Sequence, residues 1–202
     1  MHNPSVRTAK DVAYCSLMTA LLIGGQYVLS FVGGVEVVTV LLLAWSFVFG
    51  AKRGMLVATA FSLLRNFLYA FSAEVVVLYL VYYNLFALTF GLLGKSRSAS
   101  WRFLPKLCLL TVVAVLCTAC FTLLDDVLTP LWYNYSVRAT KAYFISSLPF
   151  MATQTVCTAV TVPTLFFPLS AVFGKAFASL HRQREVLPCA EEKERDFSEN
   201  SQ

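Results

Sequence analysis

The chain has 202 residues, of which 58% are hydrophobic and 13% charged, with a mean hydropathy of +0.69 and a formal net charge of +5. Soluble domains are about 45–50% apolar and about 25% charged, so this composition excludes a soluble globular domain, a disordered chain and a disulfide-rich secreted module. An integral membrane protein is left, long enough for one compact domain but not for a bundle plus an ATP-hydrolysing or catalytic domain.

Uncharged runs cover 12–35, 37–51, 54–64, 75–94, 107–124 and 142–174. A helix needs roughly 20 apolar residues to cross the hydrocarbon core. These runs predict an all-α membrane protein with six transmembrane helices near 9–31, 36–51, 54–72, 75–94, 102–126 and 147–178. No segment alternates apolar and polar residues as a barrel strand requires. The last run is too long for one simple span. Ser147 as a cap and Pro149 in a first turn predict that the sixth helix starts near 147. Residues 125–146 then form a long loop. Pro163 and Pro168 are expected to kink the sixth helix. Residues 1–178 thus read as a six-helix domain. The mixed-charge stretch 179–202 reads as a disordered cytoplasmic tail.

Lys and Arg set the expected orientation. Arg7, Lys10, Lys52, Arg53, Lys95, Arg97, Arg102, Lys106, Lys175, Arg182, Arg184, Lys193 and Arg195 fall on one side of a six-span chain; Arg138 and Lys141 fall on the other. By the positive-inside rule both termini are cytoplasmic. The net positive charge then reflects topology and lipid contact, and gives no reason to expect nucleic acid.

Little in the chain suggests catalysis. Cys117 and Cys120 form a C-x-x-C, but within an apolar helix and with no histidine nearby, so helix packing explains them better than metal or redox chemistry. No phosphate-binding G-x-x-x-x-G-K-[ST] and no H-E-x-x-H occur. No cofactor and no metal are expected.

Three features point to binding. Ser16, Ala20 and Gly24 place small residues along one face of the first helix, suited to close helix approach either within the bundle or to a partner. Arg65 lies roughly 17 Å into the third span. It faces a polar partner or snorkels to the headgroups, with Asn66 and Tyr69 beside it. Aromatic and polar side chains gather on the less basic side: Tyr79, Tyr83 and Asn84 on the fourth helix, then Trp132, Tyr135, Lys141 and Gln154. An aromatic wall with a few placed polar groups suits a small flat ligand, although an interfacial aromatic belt uses the same residues.

Several segments carry a family resemblance. They are Ala20-Leu-Leu-Ile-Gly24, Val28-Leu-Ser-Phe31, Gly34-Val35-Glu36-Val37-Val38-Thr39, Phe49-Gly50-Ala-Lys52-Arg-Gly54, Arg65-Asn66-Phe-Leu-Tyr69 and Leu148-Pro149-Phe150. In order and spacing, across about 9–178, they resemble the substrate-binding S components of energy-coupling factor (ECF) vitamin transporters. The resemblance implies a prokaryotic cell-membrane protein that binds a vitamin or related micronutrient near its outer face. It would be lined by helices four to six and neighbouring loops. The implied partners are a membrane T component and two ATP-binding subunits, with docking through Ser16, Ala20 and Gly24. Relatives often carry an acid and a histidine just after the Pro-Phe pair; here Met151 and Gln154 stand there, so the particular vitamin stays open. A stand-alone secondary transporter is the competing reading, although no internal repeat supports it. A membrane scaffold or enzyme is a third, and the only ionisable group deep in a span is Arg65.

Overall fold

The computed structural model describes residues 9–31, 37–68, 72–96 and 103–199, without the side chains of 96, 103, 104 and 180–199. Six helices follow one another: α1 (Ala9–Leu29), α2 (Val38–Phe49), α3 (Ala51–Leu68), α4 (Ala73–Ser96), α5 (Phe103–Trp132) and α6 (Val137–Glu199). All regular structure among the described residues is helical. Among the described residues, four stretches are long and apolar enough to cross a membrane: Ala9–Leu29, Ala73–Lys95, Pro105–Trp132 and Val137–Ser179. Of the six expected spans, α2 is only 12 residues, or about 18 Å. The third, α3, carries Lys52, Arg53 and Arg65 within its 18 residues.

The shortest helix occupies the centre. Every residue from Val38 to Ser46 is buried, as is Phe49. A helix that is apolar on all sides has no face to give to water and is buried. It packs against α1, α3, α4 and α6, while α3–α4 and α5–α6 form close pairs around it. Trp45 stacks on Phe49 at 3.8 Å, and the Phe173 ring stands edge-on to Trp45 at 5.5 Å. Gly50 ends α2 at φ 85, donating its N–H to Ser46 O at 2.9 Å. That left-handed conformation suits glycine and lets α3 begin at the next residue. A Cβ on Gly91 would collide with the Ala51 backbone, and one on Gly94 with Phe47 O. The closest helix approach thus sets α4 against the α2–α3 corner.

One end of the bundle carries Lys10, Lys52, Arg53 and Lys95. There Arg53 Nη2 pairs with Asp11 Oδ1 at 3.0 Å, both side chains almost fully buried. The Phe49 and Phe177 rings lie 6.0 and 5.8 Å from the guanidinium carbon. This pair ties α1 to α3, and a hydrogen bond of 3.4 Å between Tyr14 Oη and Ser179 Oγ joins α1 to α6.

The expected loop over 125–146 is corrected. Residues to Trp132 belong to α5, and a tight turn at 133–136 leads directly into α6. Asn134 adopts φ 51 there, a conformation asparagine tolerates better than most residues. Ser136 Oγ accepts the Ala139 N–H at 3.3 Å, so the cap lies at Ser136 and not at Ser147. Pro149 therefore sits inside α6, as do Pro163 and Pro168. Most of the polar groups that suggested a loop find partners between the two helices instead. The helical backbone also continues to Glu199, through the stretch expected to be a disordered tail. Its Arg, Gln, Glu, Leu and Ala content favours helix.

Candidate functional site

The α5–α6 interface carries a seam of polar side chains. On α5 they are Thr118, Thr122, Asp125, Asp126 and Thr129, spaced three and four apart and hence along one face. Facing them on α6 are Thr158, Gln154, Ser147 and Tyr143. The Thr118 and Thr158 hydroxyls lie 3.2 Å apart, and Thr122 Oγ1 donates to Gln154 Oε1 at 3.2 Å. Tyr143 Oη donates to Asp125 Oδ2 at 3.0 Å, and Thr129 Oγ1 to its Oδ1 at 2.9 Å. Ser147 Oγ donates to Asp126 Oδ2 at 2.6 Å. Lipid offers no hydrogen-bond partner, so side chains at this depth must satisfy one another.

A cavity of about 200 Å³ opens along the seam, lined by Phe121, Thr122, Asp125, Tyr143, Ser146, Ser147, Phe150 and Gln154. Phe121 is the hinge to an aromatic wall. Its ring lies 4.6 Å from Tyr82, 5.5 Å from Tyr79 and 6.3 Å from Tyr83. Phe61 of α3 closes the cluster, edge-on to Tyr83 at 5.3 Å. Beyond it, the Arg65 guanidinium carbon stands 4.1 Å from the centre of the Tyr79 ring, and Nε donates to Gln26 Oε1 at 3.1 Å.

The expected site residues divide into four groups. Gln154 lines the cavity, and Arg65, Tyr79 and Tyr83 form the wall behind it. Asn84 turns elsewhere: it accepts from Thr59 Oγ1 at 3.1 Å and donates to Leu80 O at 2.8 Å, bridging α3 and α4. Asn66 is buried and donates to Ser62 O of its own helix. Trp132, Tyr135 and Lys141 lie at the hairpin tip and do not line this cavity, although the Tyr135 ring stands edge-on to Tyr143 at 6.2 Å; Trp132 is 52% exposed. Tyr69 lies outside the described residues. Phe121 and Gln26 are not among the residues expected from the sequence, and Asp125 and Tyr143, which the sequence places in a loop on the aromatic side, are not among the expected contacts. The three-and-four spacing of Thr118, Thr122, Asp125 and Thr129 in an otherwise apolar helix was the available signal.

On α1 the face turned inward is Asp11, Cys15, Met18, Thr19 and Leu22. Ser16, Ala20 and Gly24 are exposed on another face. A Cβ at Gly24 would meet nothing within 4 Å. Among the described residues the stripe is therefore left exposed.

At the hairpin tip, the Tyr133 phenol is hydrogen-bonded to Glu74. That bond holds it above its ordinary value of 10.0, partly offset by a hydrogen bond with Ser72. Among the described residues, no three His, Cys, Asp or Glu side chains gather as a metal site. Comparison with protein-family models, with curated proteins and with solved structures returns no match.

Proposed function

We propose that this protein is the substrate-binding subunit of an ECF-type importer for a vitamin or related micronutrient, without catalytic activity of its own. The supporting observation is the cavity between α5 and α6, with Gln154, Thr122, Asp125 and Tyr143 beside an aromatic wall. It lies toward the end opposite the Asp11–Arg53 pair. An apolar wall supplies burial while a few polar groups fix orientation. Complete ligand sites occupy about 300–1,000 Å³, so the present space takes a ring or a side arm. A whole vitamin requires this space to widen.

The resemblance supplies the rest of the reading. Six spans place both termini in the cytoplasm of a prokaryotic cell. Ser16, Ala20 and Gly24, left uncovered in the monomer, dock on a T component that couples to two ATP-binding subunits. Native mass spectrometry of the purified chain should reveal a retained metabolite, and Gln154→Leu should release it. Ala20→Leu should block assembly with the T component while leaving that metabolite bound. A wild-type protein that retains no metabolite and captures no ATP-binding subunit would overturn the reading.

A further inference from the structure

A second cavity, of about 670 Å³, lies on the other side of the α5–α6 hairpin and shares no lining residue with the first. Adjacent residues divide between the two. Asp125 and Tyr143 line the smaller cavity; Asp126 and Phe144 line the larger. Asp126 is 3% exposed. Its Oδ2 accepts from Ser147, but its Oδ1 is buried with no hydrogen-bond partner among the described residues. A buried carboxylate oxygen in this state is costly until a donor reaches it.

Three observations define that donor. At 1.5 Å per residue, Asp126 lies about 30 Å along α5 from Lys106, which equals the hydrocarbon thickness. With Lys106 at one headgroup boundary, Asp126 stands at the other. Secondly, Val127 and Ile145 line the cavity and are 64% and 66% exposed, so its walls continue into the lipid-facing surface. Thirdly, Lys141 lines the same cavity and is exposed. The site thus offers a carboxylate for an N–H donor, an ammonium for an anion and an apolar path into the bilayer.

We propose that this cavity binds the headgroup of an aminophospholipid, its primary ammonium on Asp126 Oδ1 and its phosphate toward Lys141. A choline headgroup carries the same charges but has no N–H to donate, so the site distinguishes the two. An anionic headgroup without an amine meets Asp126 as a like charge. The proposal is independent of the substrate bound in the smaller cavity.

The test uses the full chain, stripped of lipid in detergent and titrated with short-chain phosphatidylethanolamine, phosphatidylcholine and phosphatidylglycerol under native mass spectrometry. Phosphatidylethanolamine should bind about tenfold or more tightly than either, the effect of one charge-assisted hydrogen bond. Asp126→Asn should remove the preference. Lys141→Ala should weaken all three lipids alike and leave the preference in place. Should Asp126→Asn fail to fold, Ser147→Ala keeps the charge and must keep the preference. Equal binding of the ethanolamine and choline lipids by the wild type overturns the proposal, as does a preference that survives Asp126→Asn or is lost in Ser147→Ala. Soluble phosphoethanolamine competing as well as the lipid moves the ligand from the membrane to solution, and overturns the lipid assignment.

Discussion

The Arg65 guanidinium carbon stands over the Tyr79 ring, 4.1 Å from its centre, while Nε reaches Gln26 at 3.1 Å. One side chain thereby joins α1, α3 and α4. An arginine inside a span is costly unless it finds such partners. The aromatic face answers the charge and the amide answers the donor.

Removing that junction should be visible in stability. Arg65→Ala should lower the unfolding free energy by about 2 kcal/mol, from a lost cation–π contact and a lost charged hydrogen bond. Arg65→Lys should recover little, because an ammonium lacks the planar fork. Thermal unfolding in detergent, run as a double-mutant cycle with Gln26→Ala, measures the coupling. An Arg65→Ala protein as stable as wild type would place the side chain at the headgroups instead.

The buried Asp11–Arg53 pair should respond asymmetrically to single and double replacement. Arg53→Met alone leaves a buried carboxylate without its cation and should cost about 3–5 kcal/mol. Replacing both residues, as Asp11→Leu with Arg53→Met, should restore most of the loss, since an apolar pair has no desolvation penalty to overcome. The same detergent unfolding measurement decides this. A double variant no better than the single one would show that the Phe49 and Phe177 contacts to Arg53 carry the stability.

Two glycines should behave in opposite ways. Gly91→Val drives new atoms into the Ala51 backbone and should destabilise by about 1–3 kcal/mol or more. Gly24→Val meets open space and should change the isolated chain by no more than about 0.5 kcal/mol. Melting temperatures of the two variants, measured side by side, check the contrast. A large loss from Gly24→Val would mean that α1 packs through this face after all.

The Tyr133–Glu74 hydrogen bond should weaken as pH rises into the alkaline range. Its phenol has a raised folded-state value, so the proton is held more tightly in the folded protein than in the unfolded one. The contribution is complete below the ordinary value of 10.0 and fades as pH rises through the higher folded value. The melting-temperature difference between wild type and Tyr133→Phe should therefore be level from about pH 7 to 9 and shrink above about 10. A difference that stays level throughout the alkaline range would contradict this assignment.

How far the site was legible depended on the residue. Arg65, Tyr79, Tyr83 and Gln154 stood out as polar or aromatic side chains in apolar surroundings. Asp125 and Asp126 fall in the expected loop because the uncharged run stops at Leu124 and Ser147 offers a cap for the next helix. Tyr143 donates to Asp125 and Ser147 to Asp126, and both lie more than fifteen positions further along the chain. Asn84 and Trp132 belong to the same residue classes as the wall residues, but helix rotation turns Asn84 to α3 and leaves Trp132 exposed.

Composition and apolar runs by themselves determined an all-helical membrane protein with six helices in this order, because lipid forces every backbone polar group to be satisfied within its own segment. Tertiary structure alone decided which faces meet. It set the shortest helix at the centre and left Ser16, Ala20 and Gly24 uncovered. It also closed the expected loop into a helical hairpin with a cavity on each side. The physical reason is that apolar side chains are nearly equivalent in lipid. Rotation and depth are then set by close packing at glycines such as Gly91, and by the pairing of the few polar groups present.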